Sequence, residues 1–349
     1  LSAFQMLIFA VIGNSILGIK GLTAEYWLVL FSVSCFANVL GLNISSAFNS
    51  AVTIYILIPL LIIPQMALGG AMFDFDKINS RFGGGNGKSP IVADVMASRW
   101  AYEGLAVTQF KNNRYEKDFF DIEKIASQSN FKQAFYIPEL RKIIDNTVLL
   151  PGNDSKEMLM RENLRLLLNE FNSEMKVWKE IKYNTGNLTP EKFDNEVAKE
   201  AHEFLDQIEE RYIKVYNLAS SRKDELITKM QQQSSAGQDY LTRYDAYYND
   251  FLSDILKKTN LSDRIVREED RLVQTAEPIY KSPDPSATVS LRAHFFAPEK
   301  YFFGLRISTL FFNLIIIWLM SVLSGIALYF DVLRNIVEPR KGRPKAASL

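Results

Sequence analysis

Few residues in this chain have the types and spacing that do chemistry. Gly83-Gly84-Gly85-Asn86-Gly87-Lys88-Ser89 has the composition of a phosphate loop. The Walker pattern needs a glycine where this sequence has Phe82, and the loop should open a helix, whereas Pro90 follows. The segment reads as an exposed loop. His202-Glu203 lacks a second histidine four residues on, so the zinc-protease pattern fails, and His294 reads as a headgroup-level residue. Cys35 is the single cysteine, which excludes an intrachain disulfide framework and a Cys-rich zinc site. Asn-x-Ser/Thr triplets start at Asn43, Asn153, Asn187 and Asn260, and they matter only in a eukaryotic secretory protein. There is no Gly-x-Ser-x-Gly and no convincing catalytic carboxylate pair. The expectation is therefore no catalytic, cofactor-binding or metal-binding site in this chain.

Chemistry being sparse, the elements carry the information. The 349 residues are 48% hydrophobic and 23% charged, with 40 basic and 40 acidic side chains. Such averages exclude a disordered chain, and the absence of a basic excess argues against a nucleic-acid partner. They conceal a segregation. Residues 1–73 hold only Lys20 and Glu25, and residues 307–330 hold no charge. A bilayer sorts charge in this way, because a charge at its centre costs roughly 2.5–3.5 kcal/mol.

A spanning helix needs about 20 apolar residues. The pattern predicts spans over about 4–19, 26–42, 51–73 and 307–329, with a break at Gly41–Ser50, where Asn43, Ser45, Ser46 and Asn49 cluster. An apolar start with neither a basic leader nor a cleavage site predicts the C-terminal part of a longer protein. Arg334, Arg340, Lys341, Arg343 and Lys345 against Glu338 mark the tail as cytosolic. Counting back places residues 74–306 outside the cytosol.

Residues 74–305 carry a net charge of −4, and helical periodicity dominates them. Met160, Leu164, Leu167, Phe171, Met175 and Trp178 line one face; Phe193, Val197, Ala201, Phe204, Ile208, Tyr212 and Val215 line a second. Leu241, Tyr244, Tyr248, Phe251 and Ile255 form a third stripe. Thr189-Pro190 predicts the start of the second helix. Asn184–Asn187 and Gln231–Gly237 predict the breaks. Pro278–Pro285 and Pro298 read as an irregular return, with Phe295, Phe296, Tyr301, Phe302 and Phe303 as an interfacial aromatic belt.

The third span contains Pro59, Pro64 and Gly69-Gly70, which free backbone groups that need partners. Next comes an amphipathic piece, Ile91–Thr108, with Ile91, Val95, Met96, Trp100 and Leu105 able to meet the membrane. In it Arg99 and Glu103 stand four apart and can pair.

Three stretches carry a family resemblance. Asn38-Val39-Leu40-Gly41-Leu42-Asn43-Ile44-Ser45-Ser46-Ala47-Phe48 is similar to the turn between the fourth and fifth spans of ABC-2 type permeases of the G subfamily. Ile58 to Gly70 is similar to that family's fifth span. Ser98-Arg99-Trp100-Ala101-Tyr102-Glu103-Gly104-Leu105 resembles its re-entrant element, including Ser98, Arg99, Trp100, Tyr102 and Glu103. The likeness covers about residues 1–108 and 300–335. Residues 110–298 depart from it, since the family's last outer loop is much shorter.

The resemblance implies the permease portion of an ATP-driven exporter of hydrophobic or amphipathic cargo, working as a homodimer. ATP and Mg would act in a nucleotide-binding domain upstream on the same polypeptide, so that the full-length protein is an ATP-hydrolysing translocase. It also implies a translocation path at Ile63 and Met66 and an outer gate at Met72 and Phe73. The inserted segment leaves room for an extracytoplasmic protein partner. The competing reading is a membrane-anchored helical adaptor or receptor without transport.

The fold class expected is all-α. Three transmembrane helices occupy residues 1–73, a loop and re-entrant helix 74–108, and an outer helical domain 109–304. The last span covers 305–330 and a basic cytosolic tail 331–349, in a bacterial inner membrane.

Overall fold

The computed structural model describes residues 1–48, 50–73, 75, 89–149, 154–233, 239–261, 263–283, 289 and 293–337, with 154–156, 233 and 239 by backbone alone. Outside these lie the Gly83–Lys88 loop, Asn49, Asn153, most of the Gln231–Gly237 break, part of the return at Pro285 and the basic tail from Glu338. The chain is mostly helical and divides into two compact units, Leu1–Asn113 with Ser282–Leu349 (unit 1) and Arg114–Lys281 (unit 2).

Before the insertion, unit 1 contains α1 (Ser2–Leu17), α2 (Thr23–Ala47), α3 (Ala51–Ala67), α4 (Ile91–Asp94) and α5 (Ala97–Lys111). Unit 2 contains α6 (Glu116–Phe131), α7 (Ile137–Val148), α8 (Asp154–Val177), α9 (Asn195–Gln233), α10 (Asp239–Tyr247) and α11 (Asp250–Lys257), then strands β1 (Ile265–Glu268) and β2 (Arg271–Gln274). Unit 1 resumes with strands β3 (Glu299–Phe302) and β4 (Leu305–Ser308), then α12 (Thr309–Tyr329) and α13 (Val332–Val337). Among the described residues, α2 and α12 are long and apolar enough to cross a membrane; α1 and α3 are apolar but shorter, at 16 and 17 residues.

In unit 1, α2 and α5 pack against α12. Phe36, Trp100, Phe312 and Ile317 form the centre of that contact. The break before α3 falls within the expected Gly41–Ser50, but α2 first runs on through Asn43, Ser45 and Ser46 to Ala47. The reason is that its polar groups are satisfied. Asn43 is buried and donates from Nδ2 to Val39 O at 3.0 Å and to Ser324 O on α12 at 2.9 Å. A polar side chain with partners on a neighbouring helix need not break its own.

Two short antiparallel hairpins interrupt the mostly helical fold. β3–β4 turns through Phe303 and Gly304, both with positive φ (48° and 79°), as a type I′ turn demands. β1–β2 pairs Val266 with Val273 and Arg267 with Leu272. Of the aromatic residues read as a belt, Phe295, Phe296 and Tyr301 are buried within the protein, and Phe303 is exposed. His294 is buried as well.

In unit 2 the first two stripes fill a core with α7. Leu164, Leu167 and Phe171 of α8 meet Ala201, Phe204 and Ile208 of α9, all within 2% of complete burial. The second helix begins at Asn195 rather than at Thr189-Pro190. Asp194 Oδ1 accepts from the backbone N–H groups of Glu196 (3.0 Å) and Val197 (2.9 Å), which fixes the cap there. The third stripe is divided. Asn249 Oδ1 accepts from Leu252 N at 2.9 Å and starts a new helix, and Leu241 and Phe251 stay exposed. The expected Asn184–Asn187 break is a single 3-10 turn, Thr185–Asn187. His202 lies beside Asp145, 2.9 Å away.

Unit 2 also holds a pair of carboxylates that titrate apart. Tyr280 donates from its hydroxyl to Glu123 Oε2 at 2.6 Å and approaches Glu116 Oε1 at 3.4 Å. Burial, then the charge of Glu123, pushes the Glu116 carboxyl up to about 8. Burial opposes the charge on Glu123 too, but hydrogen bonds from Lys223 and Tyr280 outweigh it and hold that carboxyl below its usual range. In the unfolded chain Glu116 titrates near about 4.3. Its contribution to stability is therefore present below that value and lost as pH rises through about 8. Glu123 acts oppositely, and only at more acidic pH. Thermal unfolding measured from about pH 5 to pH 9 is expected to show the native protein losing up to about 1.4 kcal/mol per pH unit relative to Glu116→Gln. Parallel curves for the two proteins would contradict the assignment.

Candidate functional site

Among the described residues of unit 1, α5 carries a dense polar arrangement. Ala97 to Lys111 form one continuous helix, so Arg99 and Glu103 share a face. Both are fully buried, and Arg99 Nη1 lies 3.5 Å from Glu103 Oε2. The pairing read from their spacing is present. Around it gather two residues that spacing could not show. Lys300 on β3 donates from Nζ to Glu103 Oε2 at 2.6 Å. Asn313 on α12 donates from Nδ2 to the same oxygen at 3.0 Å and to Trp100 O at 2.8 Å, and its Oδ1 accepts from Lys300 at 3.3 Å. The other carboxylate oxygen accepts from the Phe296 backbone N–H at 3.2 Å.

Arg99 reaches the opposite way. Its Nη2 donates to Ser89 Oγ at 3.0 Å, and its Nε lies 3.7 Å from Asp94. Its guanidinium also stacks 3.8 Å above the Trp100 ring. Two cations, Arg99 and Lys300, thus face two carboxylates, Glu103 and Asp94, among the described residues. Burial alone would raise the Glu103 carboxyl, but Lys300 and Arg99 hold it below the usual carboxylate range. Burial pushes the Lys300 ammonium down, to about 8.

Ser98 and Tyr102 occupy the other face of α5. Ser98 donates from Oγ to Gln65 O at 2.6 Å, satisfying a carbonyl at the end of α3. That approach explains the small pair that follows. A Cβ on Gly69 would lie 2.9 Å from Gln65 O and 3.4 Å from Ser98 Oγ. Gly70 has φ +86° and would drive a Cβ to 2.6 Å from the Phe295 ring. Tyr102 packs its ring against Phe295 and Phe296. Ile91 and Val95 remain exposed, while Trp100 is buried.

The proposed path and gate residues are not drawn into this cluster. Ile63 and Met66 lie three apart on α3, and Met72 and Phe73 follow its end; all four are more than half exposed. No residue of α3 is buried, and its principal neighbour is α5.

Sequence reading missed Lys300, Asn313 and the Gln65 carbonyl, and it took Asn43 for part of a break rather than for a contact with α12. Asn313 did carry a signal, a lone amide in an uncharged apolar run, which in a span marks a partner across the bundle. Lys300 was hidden among aromatic residues.

Chemically the cluster is a clamp. It unites α5, β3 and α12 around one carboxylate, and on its far side the Ser89 hydroxyl donates to Asp94 Oδ1 at 2.9 Å while accepting from Arg99. Among the described residues no group of three or more His, Cys, Asp or Glu side chains could hold a metal ion. The chain matches no family model, no curated protein and no solved structure.

Removing one partner of a buried ion pair costs about 3–5 kcal/mol, because the other charge is left buried. Lys300→Met and Glu103→Gln are each expected to lower stability in detergent by that order. The double variant is expected to lose at least about 1.5 kcal/mol less than the sum. Strict additivity would show that the pair is not coupled.

Proposed function

We propose that this chain is the permease portion of an ATP-driven exporter of the ABC-2 type, moving hydrophobic or amphipathic cargo by alternating access. In this reading α1, α2, α3 and α12 all cross a bacterial inner membrane. Unit 2 lies on the extracytoplasmic side, and the basic tail faces the cytosol. A nucleotide-binding domain, with its ATP and Mg, acts from the cytosol, upstream on the same polypeptide.

The observation that carries the reading is the junction of Ser98–Leu105 with the end of α3. The element that resembles the family's re-entrant helix packs beside the proline-containing helix that resembles its fifth span, through the Ser98–Gln65 hydrogen bond. An interrupted helix is tolerated where it lines a cavity or meets protein. The bare face of α3, including Ile63 and Met66, supplies an apolar surface for a second copy and for cargo. Met72 and Phe73 stand at its outer end as the gate.

Reconstitution of the full-length protein in liposomes tests this. ATP is expected to drive accumulation of an amphipathic dye, and Ile63→Trp is expected to cut the rate about tenfold with protein abundance unchanged, a barrier increase of about 1.4 kcal/mol. ATP-independent dye distribution, or no bound ATPase, would defeat the proposal.

The second reading, a membrane-anchored helical adaptor, is favoured by one observation: unit 2 has its own core of helices α7, α8 and α9. It requires that shortening unit 2 abolish function while mutations of α3 leave it intact.

A further inference from the structure

Unit 2 contains a cavity of about 640 Å³ between α7, α8 and the β1–β2 hairpin. That is the size of a small-molecule site. Its walls differ in character. Ile143, Leu159 and Leu272 line it with hydrocarbon, while Lys142, Glu139 and Arg267 bring charge to it.

The arginines of this unit differ in what they meet. Arg141, Arg161, Arg165, Arg211, Arg222 and Arg243 each lie within 4 Å of a carboxylate, while Arg114 and Arg264 lie over the rings of Tyr247 and Phe135. The Arg267 guanidinium instead donates to an amide and a backbone carbonyl, Asn163 Oδ1 at 2.6 Å and Glu269 O at 3.4 Å. No carboxylate pairs with it among the described residues. Asn163 is itself buried and donates from Nδ2 to Thr147 Oγ1 at 3.0 Å, so the guanidinium is held from behind by a fixed amide. Arg267 and Leu272 are cross-strand partners, which sets the charge directly beside the apolar wall. Lys142 adds a second cation, and its contact with Glu139 at 3.5 Å is between partly exposed groups, so it is weak. Among the described lining residues the cavity therefore has an excess of one positive charge at an apolar floor.

We propose that this cavity binds a single-chain amphiphile with a carboxylate headgroup. The carboxylate pairs with Arg267 and Lys142, and the hydrocarbon lies against Ile143, Leu159 and Leu272. A guanidinium suits this role because its planar donors match a carboxylate bidentately. The inference stands on unit 2 alone and is independent of any transport by unit 1.

The full chain in lipid nanodiscs carries the test, with decanoate as the probe. On a Cys35→Ser background, Leu159→Cys places a thiol in the cavity wall, where a membrane-impermeant maleimide reports access. Decanoate is expected to slow labelling saturably, by about fivefold or more. 1-Decanol at equal concentration is expected to protect much less, since it has the chain without the charge. Arg267→Gln is expected to raise the half-protecting decanoate concentration about tenfold, the loss of one charge-assisted hydrogen-bonding partner. Lys142→Gln alters only an exposed side chain and is expected to raise it about threefold, so a folding defect in the first variant cannot hide the result. Equal protection by decanol, no protection by decanoate, or protection unchanged in both charge variants would overturn the proposal.

Discussion

Glu103 is a carboxylate without access to water, and the folded form of unit 1 is organised by the need to hold it. Burying a lone charge in protein costs several kcal/mol even after relaxation, about as much as a small domain's margin of stability. The molecule answers with Lys300, Asn313, Arg99 and a backbone N–H, each from a different place in the sequence. These partners reach one atom pair only if α5, β3 and the start of α12 meet within hydrogen-bonding distance. The aromatic packing around Phe295 and the glycine pair after α3 follow from the same closeness.

The legible parts of this arrangement were local. Arg99 and Glu103 are four apart, and the turn of a helix brings them together whatever surrounds them. Lys300 and Asn313 meet Glu103 across 197 and 210 residues, a separation that periodicity cannot bridge. The core stripes of α8 and α9 were readable because burial repeats with the helical period. Their boundaries were not, because Asp194 and Asn249 compete as caps with stronger-looking signals at Thr189-Pro190 and in an unbroken tyrosine stripe. The overrun of α2 through Asn43 has the same cause in reverse. A polar side chain looked like a break until a partner on α12 satisfied it. The two hairpins are each four residues per strand, too short for alternation to stand out.

The two units place their polar groups differently. Unit 1 buries opposite charges against one another and turns a long apolar face of α3 outward. Unit 2 buries carboxylates such as Glu116 and Glu174 beside its apolar core, pairs other charges at its surface, and sets Arg267 at a cavity with no carboxylate partner among the described residues. The permease reading draws on the first unit and the amphiphile site on the second, so each can fail without the other.

The clamp also bears on how such a chain could change over time. The polypeptide departs unit 1 just after α5, at Asn113, and resumes it at Ser282, before β3. Glu103 and Lys300 pin the two flanking segments to each other, so the frame on either side of the insertion is closed by its own contacts. Closing a longer loop costs only about 0.6 kcal/mol per doubling of its length. A segment bounded in this way is a graft site: its content can be lengthened, shortened or exchanged while the flanking frame keeps its geometry.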